Sequence, residues 1–79
     1  MNSKLDYKDL GSRIRMLRQE MGSSQAQFAE LLGVKQPFIS PLEKGKLRPT
    51  LQHLTHIASL TGKSLDWMVW GEGLLERQG

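Results

Sequence analysis

Residues 25–44 read QAQFAELLGVKQPFISPLEK, and this stretch decides the fold. Ser24 stands just before it, with Gln27 three residues on. That spacing is a capping box: the hydroxyl takes the Gln27 amide while the Gln27 side chain reaches back. Ala26, Phe28, Ala29, Leu31 and Leu32 follow as a helix of barely two turns, closed by Gly33. Ala29 supplies the small residue needed where two helices cross closely. Gly33 supplies the backbone freedom for a turn at positive φ. Val34, Ile39 and Leu42 are the buried anchors of a second short helix that starts near Lys35 and ends at Gly45. The spacing predicts two short helices at a steep angle, joined by a turn of three to four residues.

The same punctuation runs outward on both sides. Leu10, Ile14, Leu17 and Met21 recur at intervals of four, three and four, one face of an amphipathic helix stopped by Gly22. Beyond Pro49, Thr50 is a cap for a helix carrying Leu51, Leu54, Ile57, Ala58 and Leu60 as far as Gly62. Ser64 caps a last short helix with Leu65, Met68 and Val69 flanked by Trp67 and Trp70, and Asp66 suits its first turn. β-branched residues are scarce and no segment alternates apolar with polar over a strand's length, so an all-helical chain is the default. The expectation is an all-α, compact five-helix domain over residues 7–71, with flexible termini at 1–6 and 72–79.

A chain of 79 residues holds one small domain. It has no cysteine, so disulfides, thiol nucleophiles and cysteine zinc sites are excluded and packing alone must hold it. The longest apolar run is far short of a bilayer span, and the first ten residues are unlike a leader peptide. A cytoplasmic protein with no membrane partner is therefore expected. The net charge is +3. Between Lys35 and Arg48, four cations face Glu43 alone, so that loop carries the whole surplus and the rest of the chain is neutral. A local basic patch on a neutral body suits a phosphate-contacting surface, and equally a solvated charged loop. No nucleophile motif or phosphate-cradling glycine loop is present. His53 and His56 lie three apart on one helix without a carboxylate or cysteine to complete a metal site. No enzyme activity, cofactor, metal or small-molecule ligand is expected.

From Leu10 to Gly71 the chain resembles the Cro and lambda-repressor-like (XRE-type) helix-turn-helix DNA-binding domains. The resemblance rests on five pieces in order: RIRMLRQEMG, SQAQFAELLGV, the LEKGK turn, RPTLQHLTHIASLTG and SLDWMVWGE. It implies a helix beginning at Gln36 that lies in the major groove of duplex DNA. Gln36 is where such domains commonly place a glutamine, whose carboxamide can bond adenine N6 and N7 together. Pro37, Ser40 and Pro41 share the expected base-facing surface. Gln25, at the start of the preceding helix, looks like the family's phosphate contact, with Lys35, Lys44, Lys46 and Arg48 as further ones. Arg18 and Glu43 match a family ion pair that ties the reading helix to the core. Leu47, Leu51, Trp67 and Trp70 would build a symmetric homodimer on a pseudo-palindromic operator. The implied function is transcriptional regulation, a bacterial or phage type of repressor with no attached sensing domain.

Two prolines depart from the family pattern. Pro37 falls in a first turn, where a missing N–H is harmless. Pro41 would sit in a helix interior, a placement costing about 3 kcal/mol, and would push Ser40 from helical geometry. The helix is therefore expected to be kinked or interrupted near residue 40. Pro37, Phe38 and Pro41 make this face apolar, which fits packing against thymine methyls. It also fits a face turned over to a protein partner, as in a protein-interaction or antitoxin-like module on the same fold.

Overall fold

The computed structural model describes residues 5–71, and among these it contains helices and turns but no strand. The elements are α1 (Tyr7–Glu20), α2 (Gln25–Leu32), a 3₁₀ helix (Gln36–Phe38), α3 (Ile39–Glu43), α4 (Leu51–Thr61) and α5 (Leu65–Trp70). The architecture is the all-helical one expected of the sequence, with the third helix split in two. Residues 72–79 and 1–4 of the expected tails lie outside the described residues. Asp6 caps α1 by accepting from the Lys8 N–H at 2.9 Å and the Asp9 N–H at 3.3 Å. Leu5 packs against the core, so contact with the domain begins before Tyr7.

Each helix after the first opens on a side chain that satisfies its orphan amides, except the divided third. Ser24 and Gln27 form both bonds of the capping box of α2. Thr50 and His53 do the same for α4, with the imidazole in the place a carboxylate or amide usually takes. Ser64 accepts from the Trp67 N–H to start α5. At the end of α2, Gly33 sits at φ 73°, and the Val34 N–H returns to the Ala29 carbonyl at 3.0 Å. A left-handed residue there reverses the chain within Gly33, Val34 and Lys35, and only glycine adopts it without strain.

Every α-helix contributes to one core. Leu10, Ile14 and Leu17 come from α1, Phe28, Ala29 and Leu32 from α2, Ile39 and Leu42 from α3, Leu54 and Ile57 from α4, and Met68 from α5. Burying each large side chain contributes about 1.5–3 kcal/mol, which sets the packing that everything else rides on. One close approach places the functional surface. A Cβ on Gly11 would stand 2.5 Å from the Leu42 carbonyl oxygen and 2.6 Å from that of Glu43. Only a residue without a side chain lets α1 run this close to the end of α3, so Gly11 fixes how deep the third helix seats.

Among the described residues no helix is long and apolar enough to cross a membrane.

Candidate nucleic-acid interface

Lys35 is extended at φ −79° and ψ 145°, and Pro37 follows within the next turn with its φ already fixed near helical values. The Phe38 N–H donates to the Lys35 carbonyl at 3.0 Å and the Ile39 N–H to Gln36, both bonds of the tight three-residue kind. The α-helical pattern starts only at Ile39, and the Lys44 N–H reaches the Ser40 carbonyl at 3.1 Å. The interruption expected near residue 40 falls between residues 38 and 39, and Ser40 is not pushed out of the helix. Ser40 remains inside α3, and the break is a change of hydrogen-bond register between Phe38 (ψ −28°) and Ile39 (ψ −48°). The physical reason is economical. Restarting the helix at Ile39 puts Pro41 in a first turn, where its missing N–H has no intrahelical acceptor to serve.

The segment exposes two adjacent rows, since residues four apart share a helix face. Gln36 is exposed and Ser40 half-buried in one row; Pro37 is exposed and Pro41 half-buried in the other. Phe38 does not join them. It is half-buried, packs against the core, and sets its ring 5.1 Å from that of His53 at the start of α4. Ile39 and Leu42 are fully buried beneath.

Behind the segment lies a polar tie. Arg18 Nε donates to Glu43 Oε2 at 2.6 Å and its second nitrogen reaches Oε1 at 3.2 Å, the paired geometry a planar guanidinium allows. The remaining Arg18 nitrogen donates to the Ser23 carbonyl at 2.9 Å. The Glu43 side chain is 4% exposed, so its charge is neutralised inside the protein rather than by water. Gln25, read from sequence as a phosphate contact, donates its carboxamide N–H to Glu43 Oε1 at 3.2 Å. It is half-buried, so its outer face still meets solvent while its inner face belongs to the tie. Three helices, α1, α2 and α3, are thus joined at one carboxylate.

A concavity of about 180 Å³ opens over this tie, lined by Arg15, Arg18, Gln25, Ser40, Glu43 and Lys44. Three cations surround one buried, already paired carboxylate, which leaves a positive rim. Arg15 is the residue that sequence reasoning missed. Its signal was faint: it stands three before Arg18, hence on the same side of α1, but an exposed arginine carries no pattern of its own. Lys35 and Lys46 are exposed on the flanks. Arg48 is exposed too, yet its guanidinium sits 5.1 Å above the Tyr7 ring, which holds it against the start of α1.

The residues read as a dimer surface divide. Leu51 is 68% exposed and Trp70 40% exposed, large apolar groups left in water by this single chain. Leu47 is half-buried. Trp67 packs against the core instead, with the Lys63 ammonium 4.9 Å over its ring.

A family model described as helix-turn-helix matches residues 14–68. An HTH-type transcriptional regulator of Haemophilus influenzae is 46% identical over 49 residues, which is 62% of this chain and 50% of that protein. The chain thus spans about half the length of this curated relative. The ImmF control region 10 kDa protein of Bacillus phage phi105 is 34% identical over 62 residues, 78% of this chain and 69% of its own. Among solved structures, the P22 c2 repressor protein in complex with a synthetic operator matches at a TM-score of 0.73 and 27% identity, over 80% of this chain and 96% of that one.

Proposed function

The chain belongs to the helix-turn-helix family, and on that premise we propose that it is a sequence-specific regulator of transcription, a repressor. It binds double-stranded DNA with the segment from Gln36 to Glu43 in the major groove. One observation carries this reading: an exposed glutamine and two proline rings stand on a segment ringed by the cations Arg15, Lys35, Lys44 and Lys46. The P22 c2 repressor, similar over most of this chain, is itself bound to an operator.

The roles follow from chemistry. Gln36 and Ser40 supply hydrogen bonds to base edges, and the Pro37 and Pro41 rings pack on thymine methyls, which need no donor. Lys35, Lys44, Lys46 and Arg15 neutralise phosphates and fix the register without reading sequence. Gln25 bonds a phosphate from its solvent side while Glu43 holds the other. Arg48 reaches a phosphate only by leaving Tyr7, so it ranks below the lysines. Two copies meet through Leu51 and Trp70, with Leu47 and Trp67 behind them, and place two reading segments on a pseudo-palindromic operator.

Selection of bound duplexes from a random pool by the purified protein tests the proposal, followed by a salt titration on the winner. The expected result is a two-fold symmetric site, and a log–log salt dependence reflecting about four to eight neutralised phosphates for a dimer. Gln36→Ala then relaxes preference at one base pair, at about 1–3 kcal/mol, while Lys44→Ala weakens all sequences alike. Failure to enrich any duplex overturns the reading and leaves a protein-interaction module on the same fold.

A further inference from the structure

The segment that faces the groove is poorly held by its own backbone at its start. Its first turn is a 3₁₀ helix of three residues, a form with weaker hydrogen bonds than the α-helix. Lys35 gives it no side-chain cap. Pro37 and Pro41 each remove a donor. Position must therefore come from side chains, and within the 3₁₀ turn Phe38 is the one residue that packs against the core.

What Phe38 meets at its ring is His53, 5.1 Å away between centroids with the planes tilted by 55°. His53 is itself fixed. Its backbone N–H donates to Thr50 Oγ1 at 3.1 Å, and its Nδ1 accepts the Thr50 N–H at 3.3 Å. An imidazole that accepts at Nδ1 carries its proton at Nε2, and the ring can then neither swing nor flip without opening the cap. One side chain thus closes the N-terminus of α4 and presents a flat wall to the base-reading turn.

We propose that His53 is a positioning residue for DNA reading: its capped imidazole sets Phe38, and through it the placement of Gln36 and Pro37 against the bases. This rests on the DNA-binding reading above and deepens it. The imidazole itself touches no base or phosphate. Its effect falls on discrimination between sequences, because a displaced turn loses base contacts while the surrounding lysines still neutralise phosphate.

Two substitutions separate the two jobs. His53→Gln keeps an acceptor at the third helical position, where glutamine completes a capping box, and removes the ring. His53→Phe keeps an aromatic wall and removes the acceptor. Affinity for the selected duplex and for a scrambled one of equal length is measured for each by fluorescence anisotropy, with folding checked by circular dichroism. For His53→Gln, an aromatic pair of ordinary strength implies a loss of about three- to tenfold on the selected duplex, with the scrambled duplex and the salt slope unchanged. For His53→Phe, discrimination stays within about twofold of the parent while the melting temperature falls. A folded His53→Gln protein that discriminates as well as the parent overturns the proposal, as does one that loses both duplexes equally. If the parent protein itself fails to discriminate, the DNA reading falls instead.

Discussion

Helix α2 and the segment that follows it are two halves of one motif, and their starts are held by opposite means. The eight residues of α2 carry their own instructions: a complete capping box at Ser24 and Gln27, and a left-handed glycine at the end. The segment 36–43 has no side-chain cap at its start, breaks its hydrogen-bond pattern at residue 38, and contains two prolines; only its end is closed locally, by Gly45 at φ 78° with the Lys46 N–H on the Pro41 carbonyl at 2.8 Å. Its place is imposed from outside, by Gly11 beneath it, by Arg18 and Gln25 on Glu43, and by His53 against Phe38. The opening turn of the half that would touch bases thus obeys few local sequence rules. Its exposed positions can change without loss of a side-chain cap, because none holds that turn. Departure from local rules at a functional surface, compensated elsewhere, is the general expectation for natural proteins.

The largest effect should come from breaking the outside support. Glu43→Ala leaves the Arg18 guanidinium and the Gln25 carboxamide facing an empty buried site where three hydrogen bonds had ended. Removing one partner of a buried pair costs about 3–5 kcal/mol, a large part of the stability of any small domain. Urea unfolding followed by circular dichroism reads this directly. A loss within about 0.5 kcal/mol would make the tie no more than a surface charge pair and the segment self-supporting after all.

Breaking the self-held half should do less. Ser24→Ala removes the hydroxyl that accepts the Gln27 N–H at 3.1 Å and leaves in place the reciprocal bond that the residue 24 N–H donates to Gln27 Oε1. The expected loss is about 1 kcal/mol, typical of a cap, with hydrogen exchange quickened in the first turn of α2. An equal slowing or quickening across α3 would show that the two halves are not separately held.

How much of this was legible before any coordinates follows the same divide. The caps at Ser24, Thr50 and Ser64 and the stops at Gly33, Gly62 and Gly71 were readable because each bond spans only a few residues of chain. The core residues were readable from period. The meeting of Arg18 with Glu43, 25 residues apart, came from resemblance and not from spacing, and the part taken by Gln25 was not read at all. His53 as a capping partner escaped because the usual rule asks for glutamate or glutamine at that position. Arg15 escaped because what makes it part of the rim is α3 and Lys44, which only the fold brings near. The start of α1 was not read as a cap: the domain was expected to begin at residue 7, but Asp6 as the residue that opens the helix carried no signal beside the apolar period from Leu10 onward.

Pro41 is where the sequence rule and the structure give different numbers, and so where the comparison can be sharpened most finely. A proline in a helix interior costs about 3 kcal/mol, so relief from it should stabilise by that much. In the first turn of α3 its ring meets no such conflict, and the Ile39 register has already removed the need for its N–H. Alanine there would regain no strain energy and would loosen the unfolded chain, which by itself favours unfolding by about 0.4–1 kcal/mol. Pro41→Ala should therefore lower stability slightly, by less than about 1 kcal/mol, in the same urea experiment. A gain near 3 kcal/mol would mean the segment is strained, and would return the proline to the helix interior. A small loss places the ring as a fitted part of the surface, available to the groove at almost no expense to the fold.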